Sequence, residues 1–275
     1  MQSQKRKYLV RFSVLLTAFV IGIWIYRTNT SITTSRITIK NPGIPDAFSN
    51  FKIAHVSDLH NFDWKNKLID RLKAEAPDLI AVTGDLIDSP DMDCALEFMR
   101  RAAALAPVYY VTGNHEAALK QYGALAQKLE ALGVHIMDDQ STLLEKDGAK
   151  INLVGIRDPR FDNAQPSAVA AKLKALSNPD AFNLVLCHRP ELFDVYTAVG
   201  SDLVLTGHAH GGQVRIPPIG GLIAPDQGFF PKYTAGVYHR DRTDMVVSRG
   251  LGNSIIPVRI NNTPELVILT LTNGS

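Results

Sequence analysis

Residues 203–213 read Leu-Val-Leu-Thr-Gly-His-Ala-His-Gly-Gly-Gln, an apolar run that stops at a glycine and delivers two histidines one residue apart. A short apolar run bounded by glycine fits a buried strand, so His208 and His210 leave a sheet edge where the backbone turns. On its own the pair could equally be polar residues of a loop. Four other apolar runs end in residues of the same metal-ligating kind. Ile53 to Ser57 leads into Asp58 and His60, Leu79 to Gly84 into Asp85, Val108 to Gly113 into Asn114 and His115, and Leu184 to Cys187 into His188. A chain whose strands end in imidazole, carboxylate and amide gathers those groups at one sheet edge.

Helical spacing fills the gaps between the runs, at 68–76, 94–106, 117–132, 167–176 and 191–199. Strands alternating with helices predict an α/β domain. The runs at 245–248 and 266–271 have no helix between them and predict antiparallel pairing, so the sheet is mixed. With 275 residues, 45% of them apolar, the chain can bury one sizeable core. Cys94 and Cys187 are the only cysteines, so no disulfide scaffold is indicated.

In open α/β sheets functional groups collect beyond the carboxyl ends of the strands, which is where these residues fall. Asp58 and His60 are two apart and point to one side if the extended conformation persists. Gly84 and Gly113 permit tight exits that aim Asp85 and Asn114. Carboxylate, imidazole and amide form a mixed oxygen and nitrogen set suited to Mn, Fe, Co or Zn. Each residue also has an ordinary reading, since a lone aspartate in a turn is usually a turn former. His55 reads as a structural neighbour, His135 and His239 as surface residues, Cys187 as core, and Glu116 as a helix-start carboxylate within second-contact reach. The Pro- and Gly-rich loop 211–232, with Phe229 and Phe230, is either a binding wall or a rigid connection. Arg157, Arg160, Arg215 and Arg249 are candidates for gripping an anionic substrate, because a guanidinium fork matches paired oxygens; each alone could be a surface or ion-paired arginine.

Residues 12–26 form an uncharged apolar run after Lys5, Arg6, Lys7 and Arg11. At 1.5 Å per residue it covers roughly 22 Å, short of a ~30 Å hydrocarbon core unless Leu9, Val10 and a snorkelling Arg11 extend it. The bulky Trp24-Ile25-Tyr26-Arg27 offers no small-residue cleavage site, which favours a membrane anchor over a signal peptide. The basic flank then predicts a single-pass protein at the cell membrane with its domain outside the cytoplasm; the alternative is secretion after cleavage. The expected organisation is a cytoplasmic tip and anchor over 1–27, a polar tether and leading edge strand over 28–50, and the main domain over 51–275. Residues 1–45 carry seven basic side chains and no acid, leaving 22 basic against 27 acidic in the remainder. That acidic balance argues against a nucleic-acid partner.

Taken together and in order, Asp58-x-His60, Gly84-Asp85-Leu-Ile-Asp88, Gly113-Asn114-His115-Glu116, His188 and Gly207-His208-x-His210 resemble the motif set of the calcineurin-like metallophosphoesterases, over about Phe51 to the C-terminus. With the N-terminal anchor, the segments Gly-His-Ala-His-Gly-Gly-Gln-Val-Arg and Val-Ser-Arg-Gly-Leu-Gly resemble its membrane-associated or exported bacterial branch, which includes phosphodiesterases and a lipid A precursor pyrophosphatase. The resemblance implies a mixed-sheet αββα sandwich. It implies two divalent metal ions, one on Asp58, His60 and His210, the other on Asn114, His188 and His208, with Asp85 bridging them. It further implies a bridging hydroxide that attacks a phosphoester, His115 as general acid and Asp88 orienting that histidine. The substrate expected is a phosphodiester or pyrophosphate near the membrane or linked to lipid. The alternatives are a phosphomonoesterase on soluble substrates and a non-catalytic metal-binding module of the same fold.

Overall fold

The apolar runs become strands because alternate side chains on each have a partner layer on both faces. The computed structural model describes residues 2–253 and 256–274, the side chains of residues 2 and 3 excepted. A long helix α1 (Gln2–Thr30) precedes β1 (Thr33–Lys40) and β2 (Lys52–Val56). Then follow α2 (Asn66–Glu75), β3 (Leu79–Thr83), α3 (Asp93–Ala103), β4 (Val108–Val111), α4 (Asn114–Ala118), α5 (Tyr122–Ala131) and β5 (His135–Ile136). The second half runs β6 (Gln140–Lys146), β7 (Ala149–Gly155), α6 (Pro166–Leu176), β8 (Phe182–Leu186), α7 (Phe193–Val199) and β9 (Leu203–Thr206). Two small ribbons, β10 (Arg215–Ile216) with β11 (Gly220–Gly221) and β12 (Ile223–Ala224) with β13 (Gly228–Phe229), lead to β14 (Gly236–Arg240), β15 (Thr243–Val247) and β16 (Glu265–Thr272).

The strands form two six-stranded sheets, β1-β16-β2-β3-β4-β5 and β14-β15-β9-β8-β7-β6. They pack face to face through Ile53, Leu79, Leu153, Leu184, Leu203, Val246 and Leu269, which share one core. Helices α2, α3 and α5 close the outer face of the first sheet through Leu72, Met99 and Leu129. Helices α6 and α7 close the second through Leu173 and Phe193. The result is the expected αββα sandwich. Each fully buried Leu or Ile in these layers stabilises the fold by about 1.5–3 kcal/mol relative to exposure.

The C-terminal strands are only partly antiparallel. Strand β16 runs antiparallel to β2 but parallel to β1, and β15 antiparallel to β14 but parallel to β9. The helix expected over 117–132 is two: Leu119 takes an extended conformation between α4 and α5.

Residues 28–35 are not a tether. Helix α1 reaches Thr30 and β1 begins at Thr33. The polar side chains that resemble a solvated linker are hydrogen-bond partners instead: Asn29 Nδ2 donates to the Arg259 carbonyl (2.9 Å) and Asn29 Oδ1 accepts from the Arg259 amide (2.8 Å). Ile32 is buried in the outer core of the first sheet. The rest of α1 stands clear of the domain with its apolar side chains exposed. Within Gln4–Thr30 an 18-residue stretch has a mean hydropathy of 2.0, and the helix is long enough to cross a membrane.

Candidate metal centre

At the carboxyl ends of β2, β3, β4, β8 and β9 the backbone turns sharply, and glycine permits the close approaches. A Cβ on Gly84, whose φ is +82°, would lie 2.6 Å from the Gly113 nitrogen and 2.8 Å from His188 Nδ1. One on Gly207 would lie 1.8 Å from Ser57 Oγ. Asp58, His60, Asp85, His208 and His210 themselves adopt left-handed backbone, with φ of 52°, 47°, 50°, 66° and 47°. That conformation costs a non-glycine residue about 1–2 kcal/mol, so the packed sheets hold strain at this edge. The extended conformation expected to align Asp58 with His60 therefore does not persist. Strand β2 ends at Val56, and both residues reach the site by turning.

Two overlapping sets of atoms able to ligate a metal result. Asp58, His60, Asp85 and His210 lie within 4.8 Å of one another, as do Asp85, His188 and His208, and all are buried. In the first set His60 Nε2 is 3.2 Å from His210 Nε2 and 3.6 Å from Asp85 Oδ2, and His210 Nε2 is 3.3 Å from Asp58 Oδ1. In the second, His188 Nε2 is 3.2 Å from both Asp85 Oδ2 and His208 Nδ1. Ligand atoms about 2.1 Å from one ion in a tetrahedral shell are roughly 3.4 Å apart, close to these spacings. His188 Nδ1 faces the Thr83 carbonyl at 2.7 Å, so in the neutral ring it donates there and leaves the Nε2 lone pair facing the site. Asn114 Oδ1 is a buried acceptor with no hydrogen-bond partner among the described residues, the kind of orphan an ion satisfies. These residues fit a divalent metal centre.

Electrostatics point the same way. Burial opposes charge on Asp58, but His210 and His188 hold its carboxyl below the usual range. Asp85 lies lower still, because His188 and His60 outweigh the same burial. Burial pulls the His210 imidazolium down to about 3. It also acts on His188, yet the Asp85 carboxylate prevails and raises that group to about 10. Two buried carboxylates thus draw positive charge into the seam, and a metal dication would supply it in place of a proton.

His115 is half-buried at the rim. Its amide donates to Asp85 Oδ1 (2.9 Å), and its ring stands edge-on to His60 with centroids 4.7 Å apart. The exposed Asp88 carboxylate lies 3.9 Å from His60 Nδ1 and accepts from Asn61 Nδ2 at 3.3 Å. The candidate phosphate-binding arginines have protein partners. Arg157 stacks on Phe161 at 3.8 Å, Arg215 donates to the Gly211 carbonyl (2.8 Å), and Arg249 pairs with Glu265 (3.1 Å). Arg160 is exposed. His55 is buried against Thr83 Oγ1 (2.8 Å) and Cys187 packs in the outer core of the second sheet. His135 and His239 are on the surface.

Two groups escaped the sequence, and a third was only partly read. Glu116 does more than start a helix: fully buried, it accepts from the amides of Asp85, Leu86, Ile87 and Gly113 and so holds the turns that carry Asp85 and Asn114. Burial and the Asp85 charge push its carboxyl up to about 7, against the pull of the Gly113 and Ile87 amides. Its position beside Asn114-His115 was the available signal. Arg189 and Asp226 carried none. The Arg189 guanidinium forks onto buried Asp158 at 2.6 and 3.0 Å and pairs with Asp226, while Asp226 Oδ2 lies 2.9 Å from His208 Nε2.

Residues 51–212 match the family model for calcineurin-like phosphoesterase. The chain is 32% identical over 252 residues to the uncharacterized metallophosphoesterase YkuE of Bacillus subtilis (strain 168), across 87% of this chain and 85% of that protein. It is 28% identical over 236 residues to phosphodiesterase YaeI of Escherichia coli (strain K12), across 82% and 84%. Among solved structures, the phosphopantetheinyl hydrolase PptH of Mycobacterium tuberculosis aligns over 73% of this chain and 89% of its own at 12% identity, with a TM-score of 0.48. The span matched by the family model runs past both ends of the ligand cluster, from before Asp58 to beyond His210. The chain belongs to the calcineurin-like phosphoesterase family and is a metal-dependent phosphoric ester hydrolase.

Proposed function

We propose that this phosphoesterase is a dinuclear hydrolase of phosphodiester or pyrophosphate bonds, working on a substrate at or linked to the membrane. Asp58, His60, Asp85 and His210 would hold one divalent cation, and Asp85, Asn114, His188 and His208 the other. The observation that carries this reading is the sharing of Asp85 by two buried ligand sets. When bound, such a pair of cations would polarise phosphoryl oxygens and make a water nucleophilic enough to attack phosphorus. The chain's own residues do the rest. Glu116 fixes the turns under Asp85 and Asn114, and the Thr83 carbonyl sets the His188 tautomer. His115, edge-on to the ligand His60, protonates the leaving oxygen, and Asp88, whose carboxylate lies 3.9 Å from His60 Nδ1, orients it by way of that ring.

The name of the Escherichia coli relative supports the diester reading. The exposed apolar helix α1 supports an anchor over residues 1–27, with the domain outside the cytoplasm. Phe229 and Phe230, 71% and 64% exposed on a loop that follows the metal ligands, support contact with lipid. Metal content and a substrate panel test the proposal: a monoester, a diester and a nucleotide-sugar pyrophosphate, each in soluble and lipid-linked form. Two ions per chain with fastest turnover of a lipid-linked diester or pyrophosphate is expected. Fewer than two ions with no turnover in any divalent metal overturns the catalytic reading. Equal turnover of soluble and lipid-linked forms overturns its membrane half.

A further inference from the structure

The ligand His208 has two ring nitrogens in unlike surroundings. Its Nδ1 faces the second ligand set, 3.2 Å from His188 Nε2. Its Nε2 points outward, 2.9 Å from Asp226 Oδ2 and 3.0 Å from an Arg189 guanidinium nitrogen. Glu191, His208 and Asp226 are close enough together to suggest a further cation site. The Arg189 guanidinium already fills that space, paired with Asp226 and 3.4 Å from Glu191 Oε1, and anchored through its other nitrogens on Asp158.

A neutral imidazole carries a single N–H. When the Nδ1 lone pair goes to a cation, the hydrogen sits on Nε2, and Nε2 can then donate but cannot accept. Of its two neighbours only the Asp226 carboxylate can take that hydrogen, while Arg189 donates to the same carboxylate from the side. We propose that Asp226 is a positioning residue for the second metal ion: it fixes the tautomer and tilt of His208, and the Asp158–Arg189 pair holds Asp226 in place. Asp226 lies in the turn between β12 and β13. That turn is braced by the chain that follows β13, since Gln227 exchanges hydrogen bonds of 2.8 and 2.9 Å with the backbone of Tyr233. The second ion therefore depends on a surface turn, whereas Glu116 and the sheet core brace the turns beneath Asp85 and Asn114.

This inference rests on the dinuclear reading, and Mn²⁺ uptake by the full chain in detergent micelles tests the two separately. The wild-type chain takes up two Mn²⁺. Asp226→Ala keeps one site at wild-type affinity and weakens the other about 10–100-fold, the usual effect of losing a carboxylate behind a ligating histidine. Asp226→Asn, whose amide oxygen still accepts from Nε2–H, recovers most of that loss. Because Asp226 is 57% exposed, the thermal midpoint of the chelator-treated Asp226→Ala chain stays at the wild-type value. Two wild-type affinities in Asp226→Ala overturn the inference and leave the dinuclear reading standing. A wild-type chain that takes up a single Mn²⁺ overturns both. Equal weakening of both sites, or a lowered midpoint, shows a general structural role and overturns the positioning one.

Discussion

The two sheets bring unlike chemistry to the seam. The ends of β2, β3 and β4 supply Asp58, His60, Asp85 and Asn114, mostly oxygen donors, whereas β8 and β9 supply His188, His208 and His210, all imidazoles. Neither sheet assembles a ligand set alone: the first set needs His210 from the second sheet, and the second needs Asp85 from the first. The site is thus a property of sheet docking. The supports differ as well. The Asp85 turn rests on three amide bonds to a buried glutamate, which takes a fourth from Gly113 before Asn114, and His208 leans on an exposed aspartate.

Removing the one residue common to both sets has the largest effect. Asp85→Ala should empty both sites and lower turnover by more than the roughly 10²–10³-fold lost with a single electrostatic stabiliser. Metal analysis beside the rate checks it; a variant that keeps two ions would show that the sets are independent. His115→Ala is the contrast, expected to lose ~10²–10⁴ in turnover with both ions retained. Loss of an ion from that variant would make His115 a ligand, and would move the boundary between ligand shell and acid.

What could be read from the sequence follows the same divide. Apolar runs that stop at Gly84, Gly113 and Gly207 announce strand ends, because period and punctuation are local properties. Hence the sandwich, and the gathering of these Asp, His and Asn side chains at one edge of it, are legible. Contacts made by chain folding back are not. Asp226 sits in a Pro- and Gly-rich loop where only the phenylalanines drew notice, and Arg189 reads as one more polar residue after His188. Asn29 looked like linker because an exposed polar side chain and one clamped to a distant backbone share the same local pattern. Asp58 and His60 were placed together for the wrong reason, since spacing alone does not reveal left-handed turns.

If the site belongs to the seam, core deletions should separate by layer. Leu153, on β7, is fully buried between the sheets, and Leu72, on α2, is fully buried outside the first sheet. Leu→Ala at either should cost about 2–5 kcal/mol by denaturant unfolding of the metal-free chain. Only Leu153→Ala should also weaken metal uptake, because it loosens the docking of the two sheets. Matched metal affinities in the two variants would break the comparison.

The smallest effect tests the sheets through acid. Burial lowers His55, on β2, to about 4, with Asp58 and Glu265 resisting; in the unfolded chain it titrates near 6.5. Above pH 6.5 the group is neutral in both states and its contribution to stability is complete. As pH falls from 6.5 toward 4 the unfolded chain takes up a proton that the folded one refuses, so stability drops by up to roughly 3 kcal/mol. His188, after β8, has the opposite sign. Raised to about 10, it stabilises the metal-free fold fully below 6.5 and loses that contribution as pH climbs toward 10. His55→Gln keeps a polar partner for Thr83 but has no proton to gain. In chelator-treated chain the urea midpoint of His55→Gln should therefore fall less than wild type between pH 6.5 and 4, while the two keep a constant difference above 6.5. Parallel curves through the acid range would mean that His55 is charged inside the first sheet, and that this sheet tolerates positive charge as the second does.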